Sequence, residues 1–124
     1  MNKIKLVINN EAKKNEKEKF FIKQELKSIL NLYAKMVSNG SWKDYSFTSG
    51  IKEVSFDVYQ RASEKPVLRI LKNLKPRYFN EKYLIKDKNG TILKKSESLN
   101  QLISKTSWNK LKLVQNFLLL HPCL

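Results

Sequence analysis

The chain has 124 residues, of which 41% are hydrophobic and 29% charged, a composition typical of one globular domain and not of a disordered chain. Its 25 Lys and Arg residues against 11 Asp and Glu give a formal net charge of +14, which favours nucleic acid, an anionic membrane surface or an acidic protein as partner. A single cysteine excludes an internal disulfide framework, and the apolar stretches are too short for a membrane span or a signal peptide, so we predict a cytoplasmic protein.

The positive charge has two interpretations. Lys outnumbers Arg by 22 to 3, and Asn is abundant, which is the bias that an AT-rich coding sequence produces without any selection for a binding surface. The alternative is that the charge serves a partner. A one-sided distribution on the folded chain favours binding, whereas an even spread favours composition bias.

The first elements in chain order are a short strand at residues 3–8 and a solvated, charged linker. We predict that residues 1–19 hold this strand and linker, which need not be ordered, and that residues 20–124 form a single α+β domain. A helix is predicted over residues 23–38, followed by Asn39-Gly40 as a left-handed C-terminal cap. Its apolar stripe consists of Leu26, Ile29, Leu30, Tyr33, Met36 and Val37.

A connector is predicted at residues 41–50, and a hairpin follows it. Val54, Phe56 and Val58 alternate with Ser55, Asp57, Tyr59 and Arg61, which is the period of a strand with one buried face. Residues 62–66 form the turn, and residues 67–72 form the second strand.

A second hairpin and a second helix complete the predicted fold. A basic connector at residues 73–82 leads to strands at 83–86 and 91–94, joined by the Asn-Gly turn of residues 87–90. Ser96 or Ser98 then caps a helix through Leu99, Leu102 and Ile103, and residues 108–120 continue as helix or as helix plus strand. The pattern predicts an α+β fold: helix, four-stranded antiparallel meander, helix, with both helices on one face of the sheet and the other face open.

Several motifs follow one another in a specific order. They are Gln24–Val37, Gly40–Tyr45, Phe56–Arg61, Glu64–Ile70 and Asn89–Lys95. This order is similar to that of a small bacterial family known as domain of unknown function 2794. The resemblance covers residues 20–105 and brings no known activity, so it implies a fold and leaves the function open.

Catalytic and metal-binding patterns are absent from the sequence. The only histidine, His121, and the only cysteine, Cys123, lie in the C-terminal tail, where water exclusion and precise orientation are not expected. One His and one Cys exclude ordinary zinc spacings, and three glycines exclude a glycine-rich phosphate loop. We predict no catalytic residue, no metal and no cofactor.

The three arginines are the most informative cations, because a guanidinium group binds phosphate in a bidentate manner and stacks on bases. Tyr59, Arg61 and Arg69 are predicted on the open sheet face as a platform for bases and phosphates. Arg61 has a purely structural alternative, an ion pair with Asp57 or Glu64. Including the basic connector, the candidate nucleic-acid or anion-binding residues are Tyr59, Arg61, Arg69, Lys75 and Arg77.

Three functions are therefore compatible with the sequence. The leading hypothesis is a non-enzymatic module that binds nucleic acid, RNA in particular. The first alternative is a protein-interaction adaptor or a subunit of a larger assembly with an acidic partner. The second is a phosphate- or anion-binding domain that uses Arg61 and Arg69.

Overall fold

The computed structural model describes residues 18–61 and 65–108, which hold two helices and five strands. Helix α1 begins at Lys23 and ends at Ser38, and helix α2 spans Leu99–Lys105. The predictions made for residues 1–17, for the turn at 62–64, and for residues 109–124 with His121 and Cys123 lie outside the described residues.

Both ends of α1 have defined caps. At the N-terminus, the Glu25 carboxylate accepts a hydrogen bond from the backbone N–H of Ile22 at 2.8 Å, half of a capping box. At the C-terminus, Gly40 has φ of +82° and donates to the Val37 carbonyl, while Ser41 donates to the Met36 carbonyl. These two bonds form a Schellman motif, and the predicted left-handed cap at Asn39-Gly40 is confirmed.

The buried stripe of α1 differs in part from the predicted one. Ile29 and Met36 are buried as expected, but Leu30 and Val37 are about two-fifths exposed, and Leu32 is buried in their place. Glu25 is also buried, and an ion pair with Lys72 compensates the charge of its carboxylate inside the protein. The helix has apolar residues on more than one face, so periodicity alone does not decide which face packs on the sheet.

All five strands form one antiparallel sheet in the order β1-β2-β3-β4-β5. The prediction of four strands was wrong, since β1 lies in the segment expected to be a connector. That strand is at a sheet edge and mostly exposed, and its polar positions therefore resemble a loop. The strands are β1 (Asp44–Ser49), β2 (Glu53–Tyr59), β3 (Leu68–Asn73), β4 (Tyr83–Asp87) and β5 (Ile92–Ser96).

Both helices contribute to one apolar core. Ile29 of α1 and Leu102 of α2 belong to the same buried cluster as Phe56 and Ile70, which are direct cross-strand partners in the centre of the sheet. The α+β class and the position of both helices against the Val54, Phe56 and Val58 face therefore agree with the sequence prediction. This helix-covered side of the sheet is called the core face below.

The β4–β5 hairpin closes as the Asn-Gly dipeptide predicts. Gly90 has φ of +84°, a conformation that strains residues with a Cβ atom. The Asp87 carboxylate accepts hydrogen bonds from the backbone N–H groups of Asn89 and Thr91, both at 2.9 Å, which fixes the turn. After β5, Ser98 and not Ser96 is the N-cap of α2.

Candidate nucleic-acid interface

Arg69 forms an ion pair on the sheet face opposite the core. Its Nε donates to Asp57 Oδ1 at 2.9 Å, and its Nη2 donates to Ser55 Oγ at 3.0 Å. Thr48 and Ser55 also donate hydroxyl hydrogen bonds to the Asp57 carboxylate. The cross-strand pairing of Asp57 with Arg69 places these groups side by side. At least two of the five N–H donors of this arginine are thus used within the protein.

The central part of this second face is buried. Ser55, Asp57, Leu71 and Leu84 all lie on it, and each is less than a tenth exposed. The expectation that the face opposite the helices is open was therefore wrong at its centre. In β2, Ser55 and Asp57 alternate with apolar residues, which is typical of a strand with one buried face and does not indicate the observed burial of both faces. The usable sequence signals were the adjacent apolar pairs Ile70-Leu71 in β3 and Leu84-Ile85 in β4.

Tyr59 and Arg61 lie at the end of β2. The Tyr59 hydroxyl is hydrogen-bonded to Ser46 Oγ at 3.0 Å, and the tyrosine is half-buried. Arg61 is exposed, two residues beyond the last residue of the strand. Tyr59 and Arg69 share the second face as predicted, but Tyr59 has no exposed ring surface comparable to that of the aromatic residues described next.

Lys75 and Arg77 lie at the other end of the sheet, in the connector that follows β3. Both are exposed. The six-residue length of β3 separates this connector from the Arg61 end by roughly 17 Å, since a strand rises about 3.3 Å per residue. The structure therefore places Arg61 at one end of the sheet, and Lys75 with Arg77 at the other.

Two exposed aromatic residues follow Arg77 directly. Tyr78 is 61% exposed and Phe79 is 82% exposed. Phe79 begins a short 3-10 helix that ends at Glu81, and its carbonyl accepts from the backbone N–H of Lys82 at 3.2 Å. Phe79 is not among the residues predicted from the sequence, although a Tyr-Phe pair between Arg77 and Lys82 in a polar connector was a usable signal.

Charge is distributed unevenly between the two hairpins that flank β3. Residues 44–59, which form the β1–β2 hairpin, carry one cation, Lys52, against the acids Asp44, Glu53 and Asp57. Residues 74–95, which comprise the connector and the β4–β5 hairpin, carry seven cations against two acids, Glu81 and Asp87; we call this segment the basic edge. Its cations are Lys75, Arg77, Lys82, Lys86, Lys88, Lys94 and Lys95.

A second ionic cluster lies within the core face. Lys72 is fully buried, and its Nζ donates to Glu25 Oε1 at 2.7 Å and to the Phe20 carbonyl at 3.1 Å. It also forms an ion pair with Glu18 at 2.7 Å, so three oxygen atoms surround one ammonium group. The other Glu25 oxygen accepts from the Tyr83 hydroxyl. Burial, and then the hydrogen bond and charge of Glu25, raise the pKa of Tyr83 above its ordinary value.

A cleft of about 780 Å³ lies between α1 and α2. Lys35 is the titratable residue among its described lining, which otherwise offers hydroxyl, amide and apolar groups such as Asn31, Ser104 and Trp108. No cluster of three or more potential metal ligands occurs within residues 18–61 and 65–108. In the same part of the chain, neither helix has the length and apolarity that crossing a bilayer requires.

These features define a small basic protein built on a five-stranded antiparallel meander with two helices against one face. The family model described as protein of unknown function (DUF2794) matches residues 19–103. The match covers more than half of the chain, and the chain therefore belongs to this family, as the motif resemblance predicted. No curated protein and no solved structure matches it.

Proposed function

We propose that the protein is a non-enzymatic module that binds nucleic acid, RNA or DNA, through the basic edge. The observation that carries the proposal is the uneven charge: seven cations against two acids in residues 74–95, and one cation against three acids in residues 44–59. Coding bias toward Lys acts on every segment alike, so the contrast between the two hairpins supports a functional role for the charge. A surface rich in cations favours phosphate binding, and α1 also exposes the cations Lys23, Lys27 and Lys35.

Exposure supports the same surface. Lys75, Arg77 and Lys88 are exposed, and β5, the outer strand of the basic edge, places Lys94 and Lys95 in solvent. Glu81 lies 3.8 Å from Lys95, with both side chains partly exposed, a geometry that neutralises little at physiological salt. Cations therefore occur along the full length of this side of the sheet and at both of its ends.

The test is fluorescence anisotropy with labelled 20-nucleotide RNA and DNA at salt from ~50 to ~200 mM. We compare Lys94→Gln/Lys95→Gln with Lys23→Gln/Lys27→Gln, a control that removes the same charge from α1. If the basic edge contacts phosphates, only the first variant lowers affinity strongly, and it reduces the salt slope by about one for each lysine in contact. Absence of binding to any RNA or DNA at ~50 mM salt contradicts the proposal.

A protein-interaction module is the second candidate, and one observation favours it. The outer strand β1 has no Lys or Arg in its six residues, although edge strands commonly carry cations that block pairing with another chain. Tyr33 of α1 packs on Tyr45 of this strand, and Leu30 and Val37, about one helical turn on either side of Tyr33, are partly exposed. This alternative is supported if one protein co-purifies with the chain after nuclease treatment and no longer does so with the Ser49→Lys variant, in which a lysine blocks strand pairing at the β1 edge.

The anion-binding alternative has less support from the geometry. Arg69 already binds Asp57 and Ser55, so an incoming phosphate has to compete with a buried carboxylate. Binding of inorganic phosphate that Arg61→Gln weakens, with no affinity for nucleic acid, would favour this alternative over the proposal.

A further inference from the structure

The most exposed large apolar side chains of the described residues lie at one end of the sheet. Ile51 is 87% exposed, Phe79 82% and Tyr78 61%. Ile51 lies in the turn between β1 and β2, whereas the two aromatic residues lie in the connector between β3 and β4. Leu74 donates its backbone N–H to the Lys52 carbonyl at 2.8 Å, which holds the turn and the connector beside each other.

Cations lie next to these apolar side chains in the sequence. Lys52 follows Ile51, and Lys75 and Arg77 precede Tyr78; all three are exposed. We call Ile51, Tyr78 and Phe79 with these three cations the sheet-end platform. An exposed apolar patch next to positive charge is a mark of an interaction site, because water contact with two aromatic rings and an isoleucine is unfavourable without a compensating partner.

The connector that presents the aromatic residues is held by hydrogen bonds. Asn73 donates its backbone N–H to the Lys82 carbonyl at 2.7 Å and its side-chain amide to the Glu81 carbonyl at 2.6 Å. The Tyr78 carbonyl accepts a hydrogen bond from the backbone N–H of Glu81 at 3.0 Å. The backbone beneath the two rings is thus closed into a compact loop, which lowers the entropy lost when a ligand binds.

We propose that the sheet-end platform binds single-stranded nucleic acid, with unpaired bases stacked on Phe79 and Tyr78 and phosphates at Lys75, Arg77 and Lys52. The inference rests on the proposed function and specifies its ligand. The bases of a duplex are stacked on one another and closed to aromatic side chains, so stacking selects unpaired strands. Every base has a π-face, and the platform therefore reads strandedness and not sequence.

The experiment compares labelled U20, dT20 and a 20-base-pair duplex in anisotropy titrations at ~100 mM salt. The variants are Tyr78→Ala, Phe79→Ala and Phe79→Trp, with Val37→Ala as a control that shortens a partly exposed apolar side chain on α1. Circular dichroism and thermal unfolding confirm that each variant folds. The RNA and DNA arms show which sugar the site accepts, since stacking and phosphate contacts are common to both.

We expect the parent protein to prefer the single strands over the duplex. Phe79→Ala and Tyr78→Ala should each weaken single-strand binding by about five- to 150-fold, because base stacking on an aromatic side chain contributes roughly 1–3 kcal/mol. Phe79→Trp and Val37→Ala should retain it, and duplex affinity should change little in all variants.

Two results would overturn the inference. If duplex and single strands bind equally and neither aromatic variant weakens single-strand binding, the platform is not a stacking site, although nucleic-acid binding through the basic edge stands. If no nucleic acid binds, but vesicles of phosphatidylglycerol do and Phe79→Ala abolishes that binding, the platform inserts into anionic membranes and both proposals fail.

Discussion

Lys72 on the middle strand of the sheet, β3, and Glu25 in the first turn of α1 form a buried ion pair, with 2.7 Å between Lys72 Nζ and Glu25 Oε1. They are 47 residues apart in sequence, and the lysine side chain is fully buried. Such pairs are maintained only when the remaining donors and acceptors are also satisfied. The Phe20 carbonyl, Glu18 and the Tyr83 hydroxyl satisfy them here.

Replacing Lys72 by Met should lower the free energy of unfolding by about 3–5 kcal/mol, because Glu25 then remains buried without its cation. The double variant Lys72→Met/Glu25→Gln should recover part of this loss, since no unpaired charge remains. Urea unfolding followed by circular dichroism measures both. Lys43→Met, at an exposed lysine, should change stability by about 0.5 kcal/mol or less. A similarly small effect of Lys72→Met would show that the pair is not stabilising.

Stability should fall at alkaline pH because of Tyr83. The folded state raises the pKa of this phenol, so the folded protein keeps the proton while the unfolded chain releases it above about pH 10. The stabilisation from this group is complete below pH 10 and decreases as the pH rises further. Tyr83→Phe should therefore show a smaller loss of unfolding free energy between pH 9 and pH 11 than the parent, measured by urea titration. Parallel pH profiles for the two proteins would contradict the prediction.

Asp57 and Arg69 stabilise the second face of the sheet. Arg69→Ala leaves a buried carboxylate with hydroxyl donors only, and should cost about 1–3 kcal/mol because the arginine is itself partly exposed. Asp57→Asn/Arg69→Ala should cost less than the sum of the two single changes, as measured by thermal unfolding.

Nucleic-acid affinity of Arg69→Ala, corrected for the folded fraction, should stay within a few fold of the parent, since Lys75 and Arg77 lie elsewhere. A large loss would place phosphate contacts at Arg69.

The turn at Gly90 should be sensitive to a Cβ atom for conformational reasons only. An added Cβ meets no atom within 4 Å, but φ is +84°. Gly90→Ala should therefore cost about 1 kcal/mol, whereas Gly90→Asn should cost less, because Asn tolerates the left-handed region better. Thermal unfolding of both variants checks this. Equal stability of Gly90→Ala and the parent would show that the turn relaxes to another type.

Much of the fold was predictable because local signals agreed with one another. The period of α1, the alternation of β2 and the two glycine turns each indicated the observed element. The strand β1 was missed although Tyr45 and Phe47 alternate with polar residues, because this run is short, mostly exposed and directly follows a helix cap. Its pairing with β2 in a tight hairpin, with Phe47 opposite Phe56, is a local contact that the alternation and Gly50 together indicate.

The candidate site was predictable only in part. Composition and the basic connector indicated Lys75 and Arg77. The pairing of Arg69 with Asp57, in contrast, depends on the strand register, and a shift of one residue would move Arg69 to the opposite face of the sheet from Asp57. Ile51 and Phe79 were not selected, because each alone is an ordinary loop residue. Their loops lie beside each other because of the backbone hydrogen bond from Leu74 to Lys52, a contact that neither loop sequence indicates by itself.

The buried salt bridge also constrains the order in which the chain can fold. Glu25 leaves the ribosome 47 residues before Lys72 and 58 before Tyr83, the two groups that make its burial favourable. Until both strands are present, docking of the first turn of α1 would bury an uncompensated carboxylate. We therefore expect α1 to dock stably on the sheet only after β4 has been synthesised, which would make this docking a late, long-range step of folding.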